Sequence, residues 1–461
     1  MAEKDLSYRV ENPATGEITA TYPGATDDEI QQVLAASEKS FKEWAALDIA
    51  ERKKYVLRVA ELFDERKDDL VDIIGREMGK SRPHAIDEVE LSANIFRYYA
   101  NNGEEFAADR KIESYNGGTA VIRHLPLGAL VGIMPWNFPY YQVARFAAPN
   151  LMNGNTIILK HAEICPESSA AIQKIFDDAG VPAGVYQNVY ASHDQITTMI
   201  EDPRVQGVSL TGSERAGAAV GATAGKNLKK AVLELGGNDA YVLLDSDDVK
   251  AAAELAWGVR MYNMGQVCNG NKRMIIMDDI YDEFVGELVK LAEKATLGTP
   301  EEAGENDVYS PLSSRDAAER LDEQVTRAVQ EGATLLAGGG LGENAYYAPA
   351  VLTDMDTKNS VFYEELFGPI ALVFKVSSDE EALKLANDTQ YGLGGAVFSK
   401  DKDRARAIAR QLEVGMSNVN TPAGEGEEIP FGGVKRSGFG RELGPLGMDE
   451  FVNKQLYFEA D

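Results

Sequence analysis

Between residues 128 and 234 the chain alternates short apolar runs with helical stretches, and this alternation restricts the fold more than any other feature. Residues 128–134, 155–160, 205–210 and 231–234 are short, aliphatic and bounded by turn residues, so they read as strands. Residues 167–179 and a stretch opening at Glu214 carry helical periodicity between them. Parallel strands need crossover connections, and helices of this length supply them. The reading is therefore α/β, a Rossmann-like parallel sheet. A second α/β body follows, with strands at 272–277 and 371–376 and helices at 281–295 and 316–330. The Gly236-Gly237 pair breaks the periodicity and marks the boundary near 235–238. Ahead of the first sheet, residues 26–110 are mostly helical. One helix opens at Asp27-Asp28-Glu29 and runs to Trp44, a second spans 48–74, and a third runs from Pro83 to Asn101 and stops at Asn102-Gly103. Residues 119–123 and 452–458 read as further strands.

Charge and cysteine content exclude several classes of function. The 461 residues hold 74 acidic and 46 basic side chains, a net charge of −28. Such a surface repels nucleic-acid backbones and anionic lipid, so neither is expected as a partner. The acids are spread along the chain, which fits a solvated face suited to a high-salt cytoplasm, where screening removes self-repulsion. The charged start Met1-Ala2-Glu3-Lys4-Asp5 has no apolar signal core, and no apolar run spans a bilayer, so a cytoplasmic protein is expected. Two distant cysteines make no disulfide framework, and four scattered histidines make no metal site. A serine hydrolase lacks its Gly-x-Ser-x-Gly elbow.

One pair of residues can carry covalent chemistry. Cys268, in Met264-Gly265-Gln266-Val267-Cys268, lies thirty-four residues after Glu234, in Leu233-Glu234-Leu235-Gly236-Gly237. A thiolate attacks carbonyl carbon, and a carboxylate activates water to release the acyl group. A cysteine alone reads as a buried small hydrophobe, so its company decides. Gly212-Ser213 ends a strand and opens a helix whose N–H groups can meet a phosphate. Lys160 and Glu163 close another strand, and by themselves are a surface charge pair.

Six blocks fall in order: Met134-Pro135-Trp136-Asn137-Phe138-Pro139, Ser209-Leu210-Thr211-Gly212-Ser213, Glu234-Leu235-Gly236-Gly237, Cys268, Glu364-Glu365-Leu366-Phe367-Gly368-Pro369, and Pro430-Phe431-Gly432-Gly433-Val434-Lys435. Together they resemble the NAD(P)-dependent aldehyde dehydrogenase superfamily, over nearly the whole chain. Gln142-Val143-Ala144-Arg145-Phe146 and Lys435-Arg436-Ser437-Gly438-Phe439-Gly440-Arg441-Glu442-Leu443-Gly444 make it most similar to the short succinate-semialdehyde dehydrogenases.

The resemblance implies an NAD-binding domain at 1–108 and 128–235, a catalytic domain at 236–440, and a small β arm at 109–127 and 441–461. Through the arm, subunits pair into a homodimer or homotetramer. It makes Cys268 the nucleophile, Glu234 the base that lets water hydrolyse the thioester, and Asn137, with the Cys268 backbone N–H, the oxyanion donor. The presence of Glu234 favours hydrolysis over transfer to coenzyme A. Trp136, Lys160, Glu163, Gly212, Ser213, Leu235, Glu365 and Phe367 fall to the cofactor. Lys160 and Glu163 hold the adenosine ribose, and Glu365 the nicotinamide ribose. A carboxylate at Glu163 repels a 2′-phosphate, so NAD is expected over NADP. Arg145 would pair with the distal carboxylate of succinate semialdehyde, and its helix spacing places it with Phe138 and Tyr141.

Two features pull the other way. Tyr262 stands six residues before Cys268, where some of these enzymes carry a second substrate arginine, with Arg260 two residues earlier. The 421–428 loop is acidic. Phe146 replaces a lysine common in the wider superfamily. A broad-specificity aldehyde dehydrogenase, a 2-oxoglutarate semialdehyde dehydrogenase and a non-catalytic NAD-binding relative stay open.

Overall fold

The computed structural model describes residues 8–115, 117–304 and 306–461, so the charged start at residues 1–5 lies outside the described residues. Four helices lead into the first sheet: Asp27–Ala45, Ile49–Glu65, Lys67–Met78 and Arg82–Phe106. Thr26 and Glu29 close the first with a reciprocal capping box.

Two helix expectations are corrected. The helix expected over 48–74 is two, parted at Arg66. Phe63 and Leu70, on either side of the break, are both buried and two turns apart, so the apolar phase runs through and periodicity cannot reveal it. The next helix passes through Asn102-Gly103 and ends at Phe106. Gly103 is not a cap but a contact: a Cβ there would lie 3.1 Å from Met152 Cε on the neighbouring helix, so the glycine permits close packing.

Among the described residues the first sheet has six strands, ordered Gly438–Phe439, Lys230–Glu234, Val205–Thr211, Ala129–Met134, Thr156–His161 and Tyr186–Asn188. All pairs are parallel except the first. The chain enters at Ala129–Met134, builds outward to Tyr186–Asn188, then returns to build the other side. Strand order therefore reverses between Ala129–Met134 and Val205–Thr211, and the crevice beyond their carboxyl ends is where open α/β sheets take ligands. Register pairs Met134 with His161 and Thr211 with Glu234 at that edge.

Among the described residues the second sheet has seven strands, ordered Thr334–Ala337, Ala350–Thr353, Ile370–Val376, Arg273–Met277, Ala240–Leu243, Gly394–Phe398 and Met416–Val419, of which only the first is antiparallel. Its amino ends face the first sheet's carboxyl ends: Gly236-Gly237 precede Ala240, Cys268 precedes Arg273, and Glu365 precedes Ile370. All the sequence blocks therefore lie along one seam.

Val452–Glu459, Thr119–Pro126 and Arg110–Ile112 form a separate antiparallel sheet. The segment before it docks back on the first body, where Tyr99 donates to the Gly444 carbonyl and Asn153 to that of Met448. Among the described residues no helix is long and apolar enough to cross a membrane.

Candidate active site

Cys268 follows a sharply folded turn. Asn263, Met264 and Gly265 take positive φ in succession, at 48°, 56° and 68°. Asparagine and glycine tolerate this region, whereas methionine does so at a cost of about 1–2 kcal/mol. At Gly265 only glycine fits, since a Cβ would stand 2.7 Å from Arg260 Nη1 and closer still to the Gly368 carbonyl. Arg260 is fully buried and holds the turn in place. Its guanidinium donates to the carbonyls of Gly265, Leu366, Gly368 and Ile370 at 2.5–3.1 Å. It therefore reads no substrate but ties the Cys268 turn to the Glu365 loop.

Asn137 meets Cys268 from the other body. Its Nδ2 donates to the Gln266 carbonyl at 3.0 Å, two residues before Cys268. Its own carbonyl accepts from Lys80 Nζ at 2.8 Å and Asn263 Nδ2 at 3.0 Å. Lys80 and Glu88 form an ion pair with neither side chain exposed. Glu88 Oε1 accepts from the Tyr140 and Tyr141 N–H groups at 2.8 and 3.2 Å, satisfying the start of the Tyr141–Asn153 helix, which has no side-chain cap of its own. The loop carrying Asn137 is thus fixed at both ends by one buried pair.

Glu365 Oε1 accepts from the Gly237 N–H at 3.2 Å and stands 3.0 Å from Lys272 Nζ. Glu364 turns away to Arg327 and Gln324, at 2.7 and 2.9 Å. The Phe367 and Trp136 rings meet edge to face, 5.8 Å apart. Burial pushes the Cys268 thiol up to about 11; Arg145 and Lys272 pull against this, Glu365 and Asp239 with it.

Glu234 ends its strand almost fully buried, and neither carboxylate oxygen has a hydrogen-bond partner among the described residues. Burial first, then Glu442, raise its carboxyl well above the ordinary range, while Arg145 and Arg441 oppose. Gly432 leaves it room, since a Cβ there would lie 2.7 Å from Glu234 Oε1. Leu235 packs on Gly217, and its N–H donates to the Ser437 carbonyl at 3.0 Å.

Arg145 is wholly buried between the Tyr141 and Phe431 rings, 4.8 and 4.4 Å from their centroids. Its Nε lies 2.7 Å from Glu442 Oε2, which makes an ion pair by distance although the angle is not that of a hydrogen bond. Nη2 has no hydrogen-bond partner among the described residues. Phe146, next in the chain, packs against Gly132 and Phe451.

The remaining residues lie further along the crevice. Lys160 pairs with Glu163, and His193 Nε2 is 3.7 Å from the same carboxylate. Ser213 caps the Glu214–Lys226 helix by accepting from the Ala216 N–H, and Gly212 donates to the Glu234 carbonyl at 3.0 Å. The structure thus brings Cys268, Asn137, Trp136, Glu365 and Phe367 into one cluster. Arg145 links it to Glu234, and Lys160–Glu163 stands apart.

Four participants were not found in the sequence: Lys80, Glu88, Lys272 and Glu442. The last two carried a signal, since Lys272 lies four residues after Cys268 and Glu442 sits inside the Arg441-Glu442-Leu443-Gly444 block. Lys80 and Glu88 act through backbone groups, which leave no mark on spacing. Tyr262, six residues before Cys268, stacks on Phe138 at 6.4 Å and touches Asp87. Burial and Asp87 raise the Glu425 carboxyl in the acidic loop.

This chain shares its sequence and fold with known proteins. The aldehyde dehydrogenase family matches residues 1–456. A succinate-semialdehyde dehydrogenase [NADP(+)] of Deinococcus radiodurans is 46% identical over 457 residues, covering 99% of this chain and 95% of its own. The succinate semialdehyde dehydrogenase [NAD(P)+] Sad of Escherichia coli is 39% identical, covering 97% of each chain. The crystal structure of succinic semialdehyde dehydrogenase from Streptococcus pyogenes in complex with NADP+ superposes with a TM-score of 0.95 at 39% identity, over 98% of this chain and 100% of that one. By family, relatives and fold alike, this chain belongs to the aldehyde dehydrogenase family.

Proposed function

We propose that this aldehyde dehydrogenase oxidises succinate semialdehyde to succinate, with Cys268 as nucleophile and Glu234 as the base that frees the product. The observation that supports this reading is that Asn137 Nδ2 is bonded two residues before Cys268, while Arg145 interacts with both Cys268 and a buried Glu234 whose carboxylate has no hydrogen-bond partner among the described residues. The Cys268 thiolate adds to the aldehyde carbon, and the resulting oxyanion takes hydrogen bonds from Asn137 Nδ2 and the Cys268 backbone N–H. Collapse of the oxyanion breaks the C–H bond, whose hydride a bound dinucleotide would accept, and leaves a thioester on Cys268. Glu234 then removes a proton from the water that attacks it, and the carboxylate product leaves.

The switch-point crevice fits a nicotinamide dinucleotide. Gly212 and the capped start of the Glu214–Lys226 helix suit its phosphates, with Leu235 packed on the helix at Gly217. Glu365 suits the nicotinamide ribose, beside the Trp136 and Phe367 rings, and Lys160 with Glu163 the adenosine ribose. When bound, the dinucleotide supplies the hydride acceptor. Glu163 supports NAD, but Lys160 partly neutralises it, and the relatives are named for NADP or for both. We therefore propose acceptance of either, to be measured as kcat/KM with each.

Arg145 supports the anionic substrate. Its charge is already matched by Glu442, but its Nη2 still has a donor to give. The apolar, exposed Ile112, Leu456, Tyr457 and Phe458 on the three-stranded sheet support self-association as a dimer or tetramer.

Reduced-cofactor formation tests the reading, in low and in high salt, with succinate semialdehyde and butanal at equal concentration. Preference for succinate semialdehyde is expected, together with complete loss in Cys268→Ala. Arg145→Lys keeps the charge but not the fork, so it should raise KM for succinate semialdehyde and leave butanal unchanged. Equal turnover of both substrates would make Arg145 a structural ion only.

A further inference from the structure

Lys272 is buried at the point where three loops of the seam meet. An ammonium has three protons to donate, and here all three are placed. Lys272 Nζ reaches the Val267 carbonyl at 2.7 Å, the Cys268 carbonyl at 2.5 Å and Glu365 Oε1 at 3.0 Å. The third loop supplies Gly237, whose N–H reaches Glu365, and where a Cβ would stand 2.6 Å from the Cys268 carbonyl. One cation therefore fixes both peptide groups flanking the nucleophile and grips the carboxylate facing it.

We propose that Lys272 is a positioning residue that holds the Cys268 backbone in place and, in balance with Glu365, sets how readily the thiol ionises. This rests on the reading of Cys268 as the nucleophile. The balance follows from the charges that face the thiol. Arg145 comes from the Tyr141–Asn153 helix together with Tyr141, Lys272 and Asp239 flank the two strands of the second sheet, and Glu365 comes from the loop before Ile370. Arg145 is matched by Glu442, whereas Lys272 is matched by Glu365, a carboxylate that itself acts on the thiol. Removing Lys272 thus leaves an uncompensated carboxylate beside the thiol, and removing the Glu365 charge leaves an uncompensated ammonium. The two changes must move Cys268 in opposite directions, which a merely structural lysine would not do.

The test uses the full chain without cofactor and follows alkylation of the Cys268 peptide by iodoacetamide against pH, read by mass spectrometry so that buried Cys165 does not interfere. Because the thiolate is the reacting form, the profile reports its ionisation. Lys272→Met should shift the profile to higher pH and slow alkylation at pH 8 by about tenfold or more, one unit of thiol pKa. Glu365→Gln should shift it to lower pH and speed the reaction, and Lys272→Arg should stay near the parent. Shifts in the same direction, or no shift in either variant, would overturn the proposal. If Lys272→Met does not fold, Glu365→Gln and Lys272→Arg decide it, and an unmoved Glu365→Gln profile is enough to reject. Cys268→Ala separates the two readings: retained aldehyde oxidation would remove the nucleophile itself, whereas its loss with unmoved profiles would remove only Lys272.

Discussion

Two walls line the seam, one where Asn137 of the first body meets Cys268 of the second and one at Glu234 of the first body, and they are built on opposite principles. The wall carrying Asn137 and Cys268 is cross-braced: the side chains of Lys80, Glu88, Asn263, Gln266 and Arg260 all make hydrogen bonds to its backbone. The wall carrying Glu234 is bare, with both carboxylate oxygens buried and without a hydrogen-bond partner among the described residues. The difference matches the two tasks. An oxyanion donor works only if it is already aimed when charge develops, so its support must be rigid. A base that serves water must keep its lone pairs free, and burial without partners keeps its affinity for protons high. The braced wall gains precision, and the bare wall gains reactivity at the expense of stability.

The largest effect should come from the bare wall. Glu234→Gln removes the base and leaves the nucleophile, so kcat should fall roughly a hundred- to ten-thousand-fold. Presteady-state kinetics should still show a burst of reduced cofactor, as the thioester forms and waits. Loss of the burst would mean that Glu234 serves the thiol and not the water.

Next comes the brace. Lys80→Met leaves the Glu88 carboxylate buried without its cation, which should cost about 3–5 kcal/mol of stability, read as a lower denaturant midpoint. A midpoint unchanged from the parent would show that the pair is not what holds the Asn137 loop. Asn137→Ala separates aim from brace, because it removes the donor and keeps Lys80–Glu88. It should lower kcat by about a hundred- to a thousandfold with stability near that of the parent.

How much of this the sequence discloses depends on the kind of contact. The first sheet is legible in its four central strands because aliphatic strands and crossover helices alternate there, whereas of the second sheet only the strands at 272–277 and 371–376 are read from the sequence; the seam is legible because the blocks sit at strand ends. The break at Arg66 is hidden because the apolar phase continues across it. The passage through Gly103 is hidden because a glycine that permits helix packing looks like one that ends a helix. At the site, Cys268, Glu234 and Asn137 carry side-chain chemistry that motifs preserve. Lys80, Glu88 and Arg260 bond to carbonyls and N–H groups of distant loops, and backbone partners have no letter in the sequence. Arg145 shows the intermediate case: its position on the helix is legible, but its pairing with Glu442, nearly 300 residues on, is made only by the fold.

The smallest effect is the sharpest test of the comparison, because its sign is opposite to intuition. Glu234 has its folded carboxyl pKa raised well above the ordinary 4.5, mainly by burial. Between these two values the folded chain holds a proton that the unfolded chain has released, so stability falls as pH rises through the window. Glutamine has the same shape and nothing to ionise. Glu234→Gln should therefore match the parent below about pH 4 and become the more stable of the two as pH rises to neutrality. Lys80→Met, on the braced wall, should lose stability at the same pH. If Glu234→Gln also loses stability, the base is held by contacts that the bare wall does not have, and the contrast between the two walls fails.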